Sequence, residues 1–335
     1  MFTKSVDIMK YSFHHFQSTL FLCIFFLNSV NNITKAAADP EILNRDVAGG
    51  TITISGAWAL YPVVVRWAEE FRKIYADVRI DLSAGGAGKG ITDVLNNMVD
   101  LGMVSREIYD EELKKGAWPV AVTKDAVVPV INASNPSVDI LLSKGLKKDA
   151  GNNIWITGFC KTWAQAFGTK GTAPIHVYTR SDACGAAEVW AKYLNSKQED
   201  LLGSGVYGDP GLALAVKKDP LGIGYSNIGF IYDSKTKKQL AGIRVLPVDI
   251  NSDGKITPDE NFYESMDHLI TAIETGKYPS PPARELYLVS KGKPQKEVVV
   301  KFLNWVLTDG QKYVRESGYI ALSKEKVTEE LKRIR

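Results

Sequence analysis

Cysteine, histidine and net charge are all scarce in this chain, and each scarcity removes a class of function. Three cysteines and four histidines among 335 residues cannot build a disulfide-dense scaffold or a Cys/His metal cluster. A formal net charge of +3 gives no grounds for a nucleic-acid or membrane surface. No internal apolar run approaches the ~20 residues of a membrane-spanning helix. Beyond the first 38 residues the histidines are His176 and His268, and neither lies in a motif that would make it the base for a nucleophile. What is present is an ordinary globular composition, 45% hydrophobic and 24% charged, in a chain long enough for two domains.

Residues 1–38 read as a secretory signal peptide. Lys4 and Lys10 give a basic start, Leu20 to Leu27 an apolar core, and Ala36 to Ala38 a small-residue cleavage site before Asp39. Cleavage near Ser29 is the alternative. A lipid anchor on Cys23 is disfavoured, because Leu22 stands where such signals need a small residue. Export leaves Cys160 and Cys184. An oxidising compartment permits a bridge between them, but an aromatic-rich stretch around Cys160 and a turn at Cys184 favour two unpaired thiols.

After the leader, β-branched strands alternate with amphipathic helices, the pattern of βαβ units. Thr51–Ser55 reads as a strand and Val63–Tyr75 as a helix, with a small-residue turn over Ser55–Pro62. The layout recurs at Ile80–Leu82, Ala84–Gly90 and Ile91–Met98, and again at Ile175–Tyr178, Thr179–Ala186 and Ala187–Leu194. A turn of this kind opens a helix, where unpaired N–H groups and the positive end of the helix dipole meet. Three of them, one carrying Arg180, describe an anion cradle. Later, helices are expected at Asn261–Thr275 and Lys296–Ser317, with a strand at Glu285–Val289 between them. Composition and pattern alone imply two α/β lobes.

The order of these turns resembles the phosphate-binding family of periplasmic solute-binding proteins that serve ABC importers. Gly56–Pro62, Ala84–Gly90, Asp100–Ser105 and Arg180–Ala186 match its four ligand segments. The likeness continues through Gly222–Ser226, Phe302–Gln311 and Ser317–Ser323, so it covers Thr51 to Ser323 in sequence. It implies a two-lobed type II binding-protein fold with two open, mostly parallel sheets and two hinge crossings. The lobes would be 39–130 plus 245–335, and 131–244. Residue by residue it implies that Leu60, Tyr61, Ala87 and Gly88 meet the anion through backbone N–H groups, and that Arg180 pairs with it. Ser105 stands in the place of an acceptor aspartate. Cys184, Gly185 and Ala186 stand in place of a Ser-Gly-Thr that caps the third helix. Those departures touch hydroxyls and leave backbone donors intact, so they bear on which anion is selected. Arg106 is a candidate second cation.

A separate motif lies at Asp249–Glu260. Asp249, Asn251 and Asp253 occupy places one, three and five of a twelve-residue calcium loop. Gly254 supplies the sharp turn, Lys255 a carbonyl, Ile256 the apolar place, Thr257 the ninth place and Glu260 the bidentate carboxylate. Pro247 rules out an incoming helix, so a single structural calcium ion, bracing a connection near the interdomain crossing, is expected rather than a sensor.

The resulting expectation is a non-enzymatic, monomeric, exported receptor. It would capture phosphate or a similar tetrahedral oxyanion and hand it to an ABC permease. The alternatives are an oxyanion-sensing or adhesion module, and an exported phosphate-ester hydrolase using Cys184 or the metal. The hydrolase would need an activated nucleophile or two metals, and no His/Asp cluster supplies them.

Overall fold

The computed structural model describes residues 49–334; the expected signal peptide and Cys23 lie outside the described residues. From the N-terminal side the elements are β1 (Thr51–Gly56), α1 (Tyr61–Ile74), β2 (Arg79–Ala84), α2 (Ala87–Leu95), β3 (Leu101–Val104), α3 (Asp110–Lys114) and β4 (Ala117–Asn132). Then come α4 (Val138–Lys144), α5 (Lys148–Trp155), α6 (Trp163–Phe167), β5 (His176–Arg180), α7 (Gly185–Tyr193), β6 (Ser204–Val206), α8 (Gly208–Lys218) and β7 (Gly222–Asn227). The chain finishes with β8 (Ile243–Val245), α9 (Met266–Glu274), β9 (Ala283–Lys291), α10 (Glu297–Leu307) and α11 (Lys324–Ile334).

Helix α1 shows how local sequence sets an element. Pro62 fits its first turn, where a missing N–H costs nothing. Val63, Val64, Trp67 and Phe71 recur on one face and are buried, and Arg72 and Lys73 complement the dipole at its end. The helix expected over Lys296–Ser317 stops instead at Leu307. A 3₁₀ turn follows at Asp309–Tyr313, and the Gly310 carbonyl accepts the Trp67 indole N–H at 2.8 Å. Tertiary capture of that carbonyl takes it out of helix pairing. The helix expected from Asn261 begins only at Met266, behind a Ser265 cap that accepts the His268 N–H at 3.2 Å.

The strands run in the order β2-β1-β3-β9-β4-β7-β5-β6, with β8 on β4. Strands β1, β2 and β3 pair in parallel, as do β5, β6 and β7, while β4 and β9 pair antiparallel with each other and with their neighbours. The parallel groups are thus the outer parts of the two lobes, and the antiparallel pair is the crossing. Val120, Ala121 and Val122 of β4 lie in one core with α1, α2 and α10, whereas Ala126 to Ile131 of the same strand lie in another with α5, α7 and α9. Between the two cores the β4–β9 register slips by a residue, from Ala121 to Thr123, the bend and added twist of a β-bulge.

The division of the chain differs from expectation. Residues 245–283, expected in the first lobe, contribute Val248, Phe262, Met266, Leu269 and Tyr278 to the second core. The reason is β8. It reads as the strand returning to the first lobe, but pairs antiparallel with the far end of β4, Val245 opposite Val130. The return is made by β9, whose Ala283 sits in the second core and whose Leu286 and Leu288 sit in the first.

Candidate functional site

Because β1, β2 and β3 are parallel, their carboxyl ends share one edge, and the same holds for β5, β6 and β7. Ligands of open α/β sheets bind at such edges. Here the two edges face each other. The Gly88 N–H donates to the Ala183 carbonyl at 3.2 Å, and a Cβ at Gly185 would overlap the carbonyl oxygen and hydroxyl of Ser105. Gly86, at φ +92°, also passes close to Ala183 and Asp182, where a Cβ would come within 2.8 and 2.9 Å. Only glycine tolerates these approaches. The indole of Trp58 packs on Gly208 and meets Tyr207 edge-on at 6.4 Å. The first-lobe turns and the second-lobe turn are therefore shut against one another.

Of the nine expected anion residues, Gly88, Ser105 and Gly185 make the contacts across this junction, and the others lie on the turns and helix starts beside them in the chain. Leu60 caps α1 and is buried, its N–H on the Ala57 carbonyl at 3.2 Å; the Tyr61 N–H reaches Trp58 at 3.1 Å. Ala87 and Gly88 open α2, Ser105 follows β3, Arg180 ends β5, and Cys184, Gly185 and Ala186 open α7. Among these, Leu60 and Tyr61 already have their N–H groups engaged within their own turn, so α2 and α7 hold the more available donors.

The cation is more elaborate than the sequence indicates. The Arg180 side chain is 1% exposed. Its Nε and Nη2 donate to the two oxygens of Asp182, at 2.8 and 2.6 Å, and Nη1 donates to Asp209 at 2.5 Å. The backbone N–H of Arg180 and the hydroxyl of Thr179 both meet the Tyr225 hydroxyl. Burial opposes the guanidinium charge, but Asp209 and Asp182 outweigh it and hold the group above its ordinary value. Of the five N–H groups of a guanidinium, these bonds engage three, leaving two outside them.

Behind Asp209 the network continues. Asn227 donates to Asp209 Oδ1 at 2.6 Å, accepts from Arg284, and Arg284 in turn pairs with Asp125 at 2.8 Å. Arg284 lies on β9 and Asp125 on β4, so a buried chain of polar groups links the Arg180 turn to both crossing strands. Sequence reading missed Asp182, Asp209, Asn227, Arg284 and Asp125 as partners. Asp182 had a signal, since it lies inside the matched turn; Asp209 and Asn227 had none, because Asp209 reaches Arg180 from the first turn of α8 and Asn227, at the end of β7, reaches only Asp209 and Arg284.

Arg106 is not a free second cation. It is buried, forks onto Glu112 at 2.8 and 2.7 Å, lies 3.1 Å from Glu188 and stacks on Tyr109. It joins the lobes, as does the Lys192–Glu107 pair at 2.8 Å. Lys89 pairs with Asp93 in α2. An open pocket of about 820 Å³ beside the junction is lined by Gly88, Arg106, Arg180, Cys184 and Glu188 among others.

Cys160 and Cys184 are both buried free thiols. Burial pushes the Cys184 thiol up to about 12, against the pull of Arg180, so it is neutral at physiological pH. Its sulfur accepts the Ala187 N–H at 3.4 Å, doing the capping work of a serine. His176 pairs with Asp219 at 2.7 Å at the opposite end of β5, roughly 13 Å of strand from Arg180. No base reaches the sulfur from there.

The fold has counterparts. Protein SphX of Synechococcus elongatus is 28% identical over 299 residues, covering 85% of this chain and 81% of SphX. The phosphate-binding protein PstS of Bacillus subtilis is 26% identical, covering 88% of each chain. Among solved structures, a candidate phosphate ABC transporter substrate-binding protein from Clostridium perfringens, with bound phosphate, superposes with a TM-score of 0.67 at 22% identity. It covers 82% of this chain and all of that one. An ABC-type phosphate transport receptor from Vibrio cholerae gives 0.59 at 17% identity, over 81% of this chain and all of its own. Among the described residues no helix is long and apolar enough to cross a membrane. A family model matches residues 44–310, and the chain belongs to that family, the PBP superfamily domain.

Proposed function

We propose that this chain is an exported, non-enzymatic receptor that captures phosphate, or a similar tetrahedral oxyanion, and delivers it to an ABC importer. The observation that carries this reading is the meeting of α2, Ser105 and the α7 N-terminus around a buried Arg180. Relatives named for phosphate binding match the chain over most of its length.

In the open form the two sheet edges separate and the Gly88 N–H leaves the Ala183 carbonyl. The anion enters between the turns. It takes the spare N–H groups of Arg180, a charge-assisted contact, and the opening amides of α2 and α7, where the dipoles favour negative charge. Asp182 and Asp209 hold the guanidinium plane in place before the ligand arrives, which lowers the ordering cost of binding. Closure follows by bending at the β4–β9 crossing, a known repertoire of binding proteins. On this reading the export signal expected at 1–38 directs the receptor to the periplasm, where the closed form would present itself to a permease as a monomer. A neutral Cys184, with His176 at the far end of β5, supports this reading over the ester hydrolase.

The test is isothermal titration of ligand-stripped protein with phosphate, sulfate and arsenate at several pH values. Phosphate should bind with micromolar or tighter affinity and compete with arsenate. Ser105 cannot demand a protonated ligand oxygen as a carboxylate would, so sulfate should be rejected less strictly than by a receptor with aspartate there. No heat from any oxyanion in folded protein sinks the reading.

A further inference from the structure

The segment Asp249–Glu260 takes no part in the anion site, and one of its atoms has no account in the fold. Asp249 is 1% exposed. Its Oδ2 accepts the Gly254 N–H at 2.8 Å, but its Oδ1 is buried with no hydrogen-bond partner. An unpartnered buried carboxylate oxygen is costly. Among the described residues no lysine, arginine or histidine forms an ion pair with Asp249; Lys147 passes beside Gly254 without reaching it.

The rest of the loop lays further oxygens along the same turn. Gly254, at φ +87°, turns the chain back. Asn251 and Asp253 fold along it, each accepting the N–H two residues on. Glu260, 6% exposed, reaches across the loop. Its Oε1 accepts the N–H groups of Ile250 and Asn251, and its Oε2 accepts from the N–H and hydroxyl of Thr257. Four carboxylates thus share one loop; among the described residues Asp259 pairs with Lys277 at 3.6 Å and Asp253 with Lys255 at 3.9 Å, and neither pair includes Asp249 or Glu260.

We propose that this loop binds one calcium ion, held by the side chains of Asp249, Asn251, Asp253 and Glu260, the carbonyl of Lys255, and Thr257 directly or through water. Calcium takes six to eight oxygens at flexible distances, and the orphaned Oδ1 is the atom it would satisfy first. A lone loop can stand here because the protein supplies what a paired loop would. The Ile256 N–H donates to the Ser143 carbonyl at 2.7 Å, the Asp249 N–H to Leu146 at 3.1 Å, and the Ile256 side chain packs on Gly145. These bonds place the loop in the second lobe, on the turn between α4 and α5, and not at the crossing strands. The loop enters from a strand and leaves into a turn, so calcium braces the lobe and opens no helix pair. Among the described residues no three His, Cys, Asp or Glu side chains are gathered at metal distance. Glu260 and Asp253 must therefore turn in on binding, which sets the affinity on the order of 0.1–1 mM, the range of extracellular modules.

The experiment uses the full-length chain, stripped with chelator in phosphate-free buffer, titrated with calcium chloride by calorimetry and melted with about 10 mM calcium or magnesium. One site is expected, with Tm raised by about 3–6 °C by calcium and less by magnesium. Glu260→Gln should abolish the shift. Asp253 is 37% exposed on its side chain, and Asn can keep its hydrogen bond; Asp253→Asn should therefore leave the chelated Tm unchanged while weakening calcium about tenfold. That variant decides the matter if Glu260→Gln fails to fold. Neither heat nor a Tm change in folded wild-type protein overturns the proposal, and so does an undiminished calcium response in Asp253→Asn.

Discussion

The Asp249–Glu260 loop and the Arg180 turn are opposite solutions to placing charge inside a protein. In the loop, bonds between the acidic side chains and the backbone span at most ten residues, and negative charge is left short of partners. At Arg180 the partners come from positions 182, 209 and 225, and the positive charge is matched by carboxylates before any ligand arrives. The first arrangement can be read from one short string of residues. The second exists only because parallel strands bring their carboxyl ends together. A local motif states its own geometry, while a tertiary site states only its most conspicuous member.

Removing the cation should break the comparison most severely. Arg180→Ala strips the ligand's counter-charge and leaves Asp182 and Asp209 buried and unpaired, which should cost about 3–5 kcal/mol in urea denaturation and abolish the phosphate heat. Arg180→Lys keeps the charge but loses the fork onto Asp182 and should recover stability in part, with phosphate binding still weak. If Arg180→Ala is as stable as wild type, the two carboxylates are not held by this pair as described.

Gly185→Ala tests whether the shut junction matters for capture. The new methyl group meets Ser105, so the closed form should become scarce while each lobe stays folded. Phosphate affinity should fall about 10–100-fold, in proportion to the lost closed fraction, and small-angle scattering with phosphate should show a larger radius than wild type. Calcium-dependent melting should be unaffected, because the loop is stitched to Ser143 and Leu146 and not to this junction.

The smallest effect concerns the pair that bolts the first lobe beneath Arg106. Burial pushes Glu112 upward, but Arg106 and the Tyr109 N–H outweigh it and hold the carboxyl below its ordinary 4.5. A depressed carboxyl contributes stability that is complete above the unfolded value and disappears as pH falls through the folded one. The Tm gap between wild type and Glu112→Gln should therefore correspond to about 1 kcal/mol at pH 7 and close below pH 4.5. A gap that widens on acidification would reverse the assigned sign.

Element types were legible wherever one periodic face or one turn decides them. Strand β1, helix α1, the small-residue turns and the order of segments follow from patterns within a dozen residues, and the two-lobed architecture follows from their order. Division of the lobes was not legible at β8: a strand of Ile243, Arg244 and Val245 does not carry the identity of its partner, and pairing with Val130 keeps 245–283 in the second lobe. Nor was Arg106, whose place beside a matched segment suggests a ligand cation until Glu112, Glu188 and Tyr109 are found around it.

By itself the sequence determined what depends on neighbours along the chain: which stretches form helices and strands, where small-residue turns open helices, and that six oxygen-bearing positions share one loop from Asp249 to Glu260. Only the tertiary structure decided which carboxylates hold Arg180, which lobe holds that loop, and that Ser105 and Gly185 touch. Those depend on strand pairing across long separations, where loop closure permits many partners and only the packed core selects one.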